Sequence, residues 1–306
     1  MINVAIAGGT GGVGRTIVEV MQKSPHHPFV LTRSESNQKD TIQVDYNDID
    51  SLVSILERHK IHTVISAFAV EGDSLASSQM NLIKAATKSR ETRRFIPSGY
   101  AIPYPQSALG SLPQLKDYFA AMDALRESGL EWTVFHNGIF LDYFGTSAMK
   151  SYLKPNVFVI DIENKAAAIP GDGNVLVSFI YTFDLARYIV AALDLEKWDE
   201  ETRVAGDEMT WNKFLALAEK YRGSQFVCHY DDAAKLEKSQ ITELPGHRKL
   251  YEHFPKESFQ WFMSIFERFT IDGTSHIKRS GSLNEKFPTI RPLSVEGLLA
   301  RYWGPK

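Results

Sequence analysis

The first half of the chain alternates short apolar, β-branched runs with stretches whose apolar residues recur at helical spacing. The predicted strands are 2–7, 29–32, 41–45, 62–67, 93–98 and 131–136. The predicted helices between them are 12–22, 48–59, 77–89 and 113–128. Strands separated by helices of this length predict βαβ units, and therefore an α/β fold with a Rossmann-type, doubly wound parallel sheet.

This pattern changes after about residue 150. The later strands are predicted at 156–160 and 174–181, and the later helices at 182–194 and 210–221. Residues 231–290 are polar and irregular, except for an aromatic island at 255–269. We predict a Rossmann domain over residues 1–152 and a smaller α+β substrate-binding region over 153–306. The second region is expected to pack against the first, with some of its strands and helices returning to the Rossmann core.

The composition is that of an ordinary globular protein, with 43% hydrophobic and 23% charged residues. A net charge of −3 gives no electrostatic reason to expect nucleic acid or an anionic membrane as a partner. The lone cysteine, Cys228, excludes an intrachain disulfide and favours a cytoplasmic location. No CxxC or HExxH spacing occurs, so we expect no metal site.

A glycine-rich stretch, GGTGGVG (8–14), follows the first predicted strand and opens the first predicted helix. In a dinucleotide site, Gly8 allows the sharp turn, Gly11 lets the backbone approach a pyrophosphate, and Gly14 lets the helix pack on the sheet. Thr10 offers a hydroxyl, and the helix N-terminus offers free N–H groups. The alternative is a plain glycine-rich turn, which the strand before it and the helix after it disfavour.

The second predicted strand ends in Leu-Thr-Arg-Ser, which places Arg33 where an NAD-binding protein commonly has an acid. A carboxylate would repel the 2′-phosphate of NADP, whereas a guanidinium can bind it. Ser34 can add a hydrogen bond, and Lys39 is a possible second cation. This pattern predicts NADP(H) as the cofactor. Two alternatives are an exposed surface arginine and a strand end shifted by two, which would make Glu35 the acid.

Several motifs together resemble the NmrA-like and isoflavone-reductase-like family of atypical short-chain dehydrogenases, which includes phenylcoumaran benzylic ether reductases. They are GGTGGVG, VLTRSES, VDYNDIDSLVSIL, HTVISAFA, RRFIPSGYA, SGLEWTVFHNGIFLDYFG and IPGDGNVLVSFIYTFDLARYIVAAL. The resemblance covers about residues 1–230, and it is closer to fungal members of the family. It implies that NADPH binds at Gly8, Thr10, Gly11, Gly12, Val13 and Arg33, and passes along Ser66, Ala67 and Phe68.

Proton transfer needs a further group. None of the tyrosines in residues 1–152 has a lysine four positions later, so this part of the chain lacks the Tyr-x-x-x-Lys pair of standard short-chain dehydrogenases. The resemblance implies a lysine near the helix between strands five and six, for which Lys116 is the candidate. Counting back from SGLEWT without gaps places Tyr118 at that position instead. Either residue, or neither, is the proton-transfer group.

The remaining candidates follow the predicted strand ends. Tyr100 and His136 are candidate donors to a substrate carbonyl, although a lone histidine is more often structural. Phe140 and Tyr143 are candidate walls of the substrate pocket. The aromatic island places Phe259, Phe262, Met263, Phe266 and Phe269 on one helical stripe, which packs in the core, covers an aromatic substrate, or does both.

From these residues we expect an NADPH-dependent reductase that transfers hydride to a small aromatic or polyketide-like secondary metabolite. The acceptor would be a carbonyl, a quinone or an activated carbon. One alternative is a non-catalytic NADP-sensing regulator, and another is an isomerase or cyclase that uses the cofactor without net redox. We expect a monomer or homodimer with a small-molecule substrate.

Overall fold

The structure, a computed structural model, describes residues 1–69 and 74–305. Its first half forms a six-stranded sheet in the order β3-β2-β1-β4-β5-β6, and every neighbouring pair is parallel. The strands are β1 Asn3–Ala7, β2 His27–Thr32, β3 Thr41–Gln43, β4 Ile61–Ser66, β5 Arg94–Ile96 and β6 Glu131–Trp132. This is the strand order of a dinucleotide-binding Rossmann sheet, so the predicted fold class is confirmed.

Four helices connect these strands. They are α1 Gly12–Met21, α2 Ile49–Arg58, α3 Met80–Lys88 and α4 Leu115–Glu127, with a π-helical turn at Leu75–Gln79 and a 3₁₀ turn at Gln106–Gly110. Helix α2 begins where the Asp48 side chain accepts a hydrogen bond from the Ser51 backbone N–H, which satisfies one free donor of its first turn. Its apolar residues Leu52, Ile55 and Leu56 are buried against the sheet.

The predicted sixth strand is divided in the structure. Strand β6 pairs with β5, whereas the next strand, β7 Val134–His136, pairs with β12 Glu201–Arg203 from the second half of the chain. The parallel pairing of β7 with β12 thus extends the sheet region with a segment about 65 residues further along. The apolar run 131–136 predicts a strand but carries no information about which neighbour each part selects.

The second half contains short strands and helices. After β8 Ile139–Phe140 and a 3₁₀ turn at Leu141–Phe144, the chain forms β9 Ile160–Asp161, β10 Ala166–Pro170, β11 Leu176–Ile180, α5 Thr182–Ala192, β12, β13 Asp207–Thr210, α6 Trp211–Arg222 and β14 Val227–Asp231. The remaining helices are α7 Ala233–Glu237, α8 His247–Leu250, α9 Lys256–Ile271, α10 Leu283–Lys286 and α11 Val295–Tyr302. Two three-stranded sheets have the orders β14-β10-β9 and β13-β11-β8.

Elements of the second half pack against the core of the six-stranded sheet. Helix α5 packs on α1, and Ile17 and Leu185 belong to the same buried cluster. From α9, Ile265 and Phe269 join the cluster that covers the other face of the sheet. The two halves therefore share their cores, and the cleft between them has walls from both. Within the described residues, no helix is both long and apolar enough to span a membrane.

Candidate functional site

A cavity of about 420 Å³ opens at the carboxyl ends of the parallel strands. Ligands of doubly wound α/β proteins bind at this edge, because the loops after neighbouring strands diverge there. Its walls combine predicted cofactor residues with predicted substrate residues. The predicted residues that line it are Gly11, Gly12, Val13, Ala67, Phe68, Tyr100, Tyr118, Phe140 and Tyr143.

The glycine loop is built for close packing. Gly8 has a φ of +76°, and a Cβ there would lie 2.4 Å from the Ala67 carbonyl oxygen. A Cβ on Gly14 would lie 2.3 Å from the Gly8 carbonyl oxygen. The turn therefore holds β1, α1 and the end of β4 together, while Gly11 and Gly12 face the cavity. No side chain in the described part of the chain caps the N-terminus of α1, so its first N–H groups are available to an anion.

Arg33 and Ser34 lie outside the cavity, in the exposed segment directly after β2. Strand β2 ends at Thr32, so Arg33, and not Glu35, holds the first position after the strand. The Gln43 side-chain amide donates to the Arg33 carbonyl oxygen at 3.3 Å, which steadies the backbone there. The exposed guanidinium is free to turn toward a phosphate at the adenosine end of a bound dinucleotide.

The end of β4 forms one side of the cavity. Ser66 is fully buried, and its carbonyl oxygen accepts a hydrogen bond from the Tyr100 hydroxyl at 3.0 Å. The Phe68 carbonyl oxygen accepts one from the Ser98 hydroxyl at 2.7 Å. These bonds join the loops after β4 and β5, so that Tyr100 is held across the cavity wall. Thr10, by contrast, is exposed and does not line the cavity.

A second, smaller cavity of about 190 Å³ adjoins the first. The two share Tyr100, Ala101, Phe140, Tyr143, Phe262 and Phe266. Its further lining residues are Ile102, Gly138, Ile139, Asn156, Phe158, Met263 and Ser275. None of these described residues is charged, and most are aromatic or aliphatic. We call this smaller cavity the apolar lobe; it suits an uncharged, largely apolar molecule.

The aromatic stripe of helix α9 is divided between the core and the cavity wall. Phe259, Met263 and Phe269 are buried in the core, at no more than 7% exposure. Phe262 and Phe266 line the larger cavity and the apolar lobe. One edge of the stripe thus packs inside the protein, and the other forms a wall of the site.

The two candidates for proton transfer lie on the same helix, α4, but on different faces. Lys116 is exposed and is not among the residues that line the cavity. Tyr118 is 5% exposed, lines the cavity, and makes an edge-to-face contact with Tyr104 at 5.5 Å between ring centroids. Burial, followed by the charge of Glu201, raises the pKa of Tyr118, so its phenol stays protonated at neutral pH. Of the two candidates, only Tyr118 lines the cavity.

His136 does not reach the cavity, in contrast to the sequence-based prediction. It is 2% exposed, and its Nε2 lies 3.6 Å from a carboxylate oxygen of Glu201. Because β7 pairs with β12, Glu201 of β12 lies close to His136 of β7. His136 is therefore a buried side chain beside β12 and is not among the described residues that line the cavity.

Burial also affects the other cavity tyrosines. It raises the pKa of Tyr143 to about 12, with a further contribution from the charge of Asp142. It raises the pKa values of Tyr100 and Tyr104 as well. At neutral pH all three are neutral hydroxyl groups, able to donate or accept a hydrogen bond.

Some lining residues gave no signal in the sequence. They are Ala69, Leu75, Tyr104, Leu112, Gln114, Leu115, Tyr152, Leu153 and Lys154. The spacing Tyr-x-x-x-Lys does occur once at the end of the chain, at Tyr302 and Lys306. Tyr302 ends α11 and packs against the second half's core, not against the cavity, whereas Lys306 lies outside the described residues. In the described part of the chain, no three acidic, histidine or cysteine side chains are grouped as a metal site.

Residues 2–278 match the model of the NmrA-like family. Oxidoreductase BOA1 of Botryotinia fuckeliana is 35% identical, over 95% of this chain and 96% of that protein. Oxidoreductase swnN of Metarhizium robertsii is 30% identical, over 99% of this chain and 98% of that protein.

Among solved structures, the leucoanthocyanidin reductase–NADPH complex of Vitis vinifera matches with a TM-score of 0.74. The match covers 98% of each chain at 18% identity, and so it concerns the fold. The family match and the two relatives confirm the resemblance seen in the motifs. The chain belongs to the NmrA-like family.

Proposed function

We propose that this protein is an NADPH-dependent reductase of an uncharged small molecule bound in the apolar lobe. One observation carries the proposal: a continuous cleft joins the glycine loop of a Rossmann sheet to an aromatic pocket whose described lining residues are all uncharged. The two relatives that span nearly the whole chain are named oxidoreductases. The structural neighbour from Vitis vinifera is a reductase in complex with NADPH.

The residues around the glycine loop fit the cofactor. Gly11, Gly12 and the first turn of α1 would receive the pyrophosphate, because close backbone approach and free N–H groups meet there. Arg33, with Ser34 beside it, would bind the 2′-phosphate. The loop after β4, with Ala67 and Phe68, would pass along the nicotinamide half. When bound, NADPH supplies the hydride.

The protein's own contribution would be to hold the acceptor and donate a proton. Tyr118 is proposed as the donor, since it is neutral, buried and part of the cavity wall. The Tyr100 hydroxyl already donates to the Ser66 carbonyl oxygen, and so its proton is less available. The walls contributed by Phe140, Phe262 and Phe266 favour aromatic or polyketide-like acceptors, because stacking and apolar burial are what these rings offer.

Nucleotide binding provides the first test. We expect Arg33→Gln to weaken NADP⁺ binding about tenfold and to leave NAD⁺ binding unchanged, because only NADP⁺ has a 2′-phosphate. Isothermal titration calorimetry measures both affinities, with Arg90→Gln, another exposed arginine, as the matched control. Equal affinity of the native protein for the two nucleotides would overturn the assignment of Arg33.

Turnover provides the second test. Purified protein is incubated with NADPH and a panel of uncharged aromatic and polyketide-type carbonyls, quinones and benzylic ethers, and NADPH oxidation is followed by absorbance. We expect oxidation with at least one class. Tight NADP⁺ binding without turnover of any class would favour the NADP-sensing regulator, and product formation without NADPH oxidation would favour the isomerase or cyclase. The apolar lobe favours the reductase over the regulator, since a sensor of nucleotides alone needs no such pocket.

A further inference from the structure

A short segment of the second half crosses the glycine loop. We call residues 150–154 the strap. Leu153 lies directly over Gly12: a Cβ on that glycine would be 2.9 Å from Leu153 Cδ2 and 3.5 Å from the Tyr152 carbonyl oxygen. Tyr152, Leu153 and Lys154 line the larger cavity together with Gly11, Gly12 and Val13. The strap and the glycine loop thus face each other at one end of the cavity.

One side of the strap is tied to α1. The Glu19 carboxylate accepts from Lys150 Nζ at 2.6 Å and from the Tyr152 hydroxyl at 2.7 Å. These two hydrogen bonds, led by that from Lys150, lower the pKa of Glu19 to about 2. The Arg15 guanidinium lies over the Tyr152 ring, 4.0 Å from its centroid. Two nearby cations, Lys150 and Arg15, are therefore engaged in holding the strap.

The other side of the strap is tied to α5. The Ser151 hydroxyl donates to Asp142 at 2.6 Å, and the same carboxylate accepts from the Thr182 hydroxyl and backbone N–H. Asp142 is thus a fixed acceptor shared by the strap and the first turn of α5. With contacts to two helices, the backbone before Lys154 has a defined position relative to the glycine loop.

Lys154 differs from every other described residue that lines the larger cavity, because its side chain alone is charged. It is also exposed, so it can reach into the cleft without a large desolvation cost. A dinucleotide carries its diphosphate at the glycine loop, where the helix N-terminus offers only partial positive charge. A full positive charge one residue beyond Leu153 complements that diphosphate.

We propose that Lys154 binds the diphosphate of the cofactor from the side opposite the glycine loop, and that the strap sets its position. The proposal rests on the proposed function, since it assumes a dinucleotide in the cleft. It assigns Lys154 a different task from Arg33. The diphosphate is common to NADP and NAD, whereas the 2′-phosphate is not.

The test compares both nucleotides on matched variants. We expect Lys154→Gln to weaken NADP⁺ and NAD⁺ by the same factor, about tenfold, and Lys154→Arg to restore most of the affinity. Lys249→Gln, which removes an exposed lysine of α8, is the control. Isothermal titration calorimetry is repeated at several salt concentrations, and the salt dependence should be shallower in Lys154→Gln.

Native affinity of Lys154→Gln for both nucleotides would overturn the proposal while leaving the proposed function intact. A loss confined to NADP⁺ would also overturn it, because that result places Lys154 at the 2′-phosphate. If the native protein binds neither nucleotide, that result contradicts both the proposed function and this inference. Folding is checked by circular dichroism, and the exposure of Lys154 makes a folding defect unexpected.

The role of the strap is tested separately with Glu19→Gln, which weakens its attachment to α1. We expect a smaller loss of affinity, about threefold, for both nucleotides. In the double variant with Lys154→Gln the two losses should not add, because the effect of Glu19 passes through Lys154. Additive losses would show that the strap does not position this lysine.

Discussion

Tyr118 and Lys116 lie two positions apart on α4, and this separation places them on different faces of the helix. The sequence alone does not decide which of the two residues, if either, transfers the proton. In the structure, only the tyrosine of these two residues lines the cavity, where its ring lies beside Gly99 and Tyr104. A proton donor has to reach the reacting atom within hydrogen-bond distance, and in this structure the exposed Lys116 does not line the cavity.

Removing the two groups should therefore have very different effects. We expect Tyr118→Phe to lower kcat about 100-fold with the acceptor identified by turnover, because positioned acid catalysis is worth about that factor or more. Lys116→Gln, on the same helix, should keep kcat within a factor of about two. Steady-state kinetics with NADPH measure both. Loss of activity in Lys116→Gln with native activity in Tyr118→Phe would identify Lys116 as the proton donor.

The candidate site residues that could be predicted are those whose position depends on neighbouring elements in the sequence. The glycine loop and Arg33 follow directly from a strand, a turn and a helix that are contiguous in sequence, so the pattern fixes their place. Lys154 gives no such signal. Its neighbours Tyr152 and Leu153 lie close to Gly12, and the contacts of Glu19 and Asp142 that place this segment join residues far apart in sequence.

At the scale of elements, β10 is a strand that the sequence pattern does not predict. Its sequence, AAAIP, contains three alanines, which are poor strand formers and more typical of helices. In the structure all five residues are buried between β14 and β9, because small side chains fit a crowded interior. Helix α9 is the opposite case: the aromatic spacing alone predicts it, and the observed range, Lys256–Ile271, contains most of the predicted island.

Helix α9 also carries an unusual buried acid, Glu267, which is 2% exposed. Its Oε2 atom has no hydrogen-bond partner among the described residues. Burial raises the pKa of Glu267 well above its usual range; the charge of Asp231 raises it further and that of Lys235 opposes the rise. The carboxyl group is accordingly protonated in the folded protein over a pH range in which the unfolded chain has lost that proton.

This difference predicts how stability varies with pH. Above the ordinary pKa of 4.5, the folded state binds one proton more than the unfolded state, so the free energy of unfolding falls as pH rises. The loss is about 1.4 kcal/mol per pH unit until the pH reaches the folded-state pKa. Glu267→Gln should remove this slope and stabilise the protein at about pH 8. Urea denaturation from about pH 5 to about pH 8 measures it, as the range spans the ordinary acid pKa.

Glu257→Gln is the control for this comparison, because Glu257 lies exposed in the first turn of the same helix. It should leave the pH dependence unchanged. An identical slope in the native protein and in Glu267→Gln would mean that the buried acid is ionised when the protein is folded.

At the scale of the whole molecule, the two halves share buried clusters. Residues from α1 and α5 pack together, and residues from α9 pack among those of the Rossmann sheet. The alternation of strands and helices predicts the first half well, since each βαβ unit is local. It predicts the second half less completely, because pairings such as β7 with β12 and β8 with β11 join segments far apart in sequence.

Shared clusters predict cooperative unfolding. We expect one calorimetric transition rather than two, and a higher Tm in the presence of NADP⁺. At a concentration of 100 times Kd, the nucleotide should add about 2.7 kcal/mol to the free energy of unfolding, which raises Tm by several degrees. The variant Lys154→Gln should show a smaller rise at the same nucleotide concentration. Two separate transitions, of which NADP⁺ shifts only one, would contradict this shared-core interpretation.

The uneven charge of the cleft has a consequence for inhibitors. Among the residues that the structure describes, the larger cavity has one ammonium group, that of Lys154, and the apolar lobe has none. Small molecules that bear a carboxylate or sulfonate would consequently settle beside the ammonium group and displace the dinucleotide, instead of entering the lobe as acceptors. Such compounds should inhibit competitively against NADPH, whereas their neutral esters should inhibit competitively against the acceptor. Esterifying one compound should therefore change the substrate with which it competes.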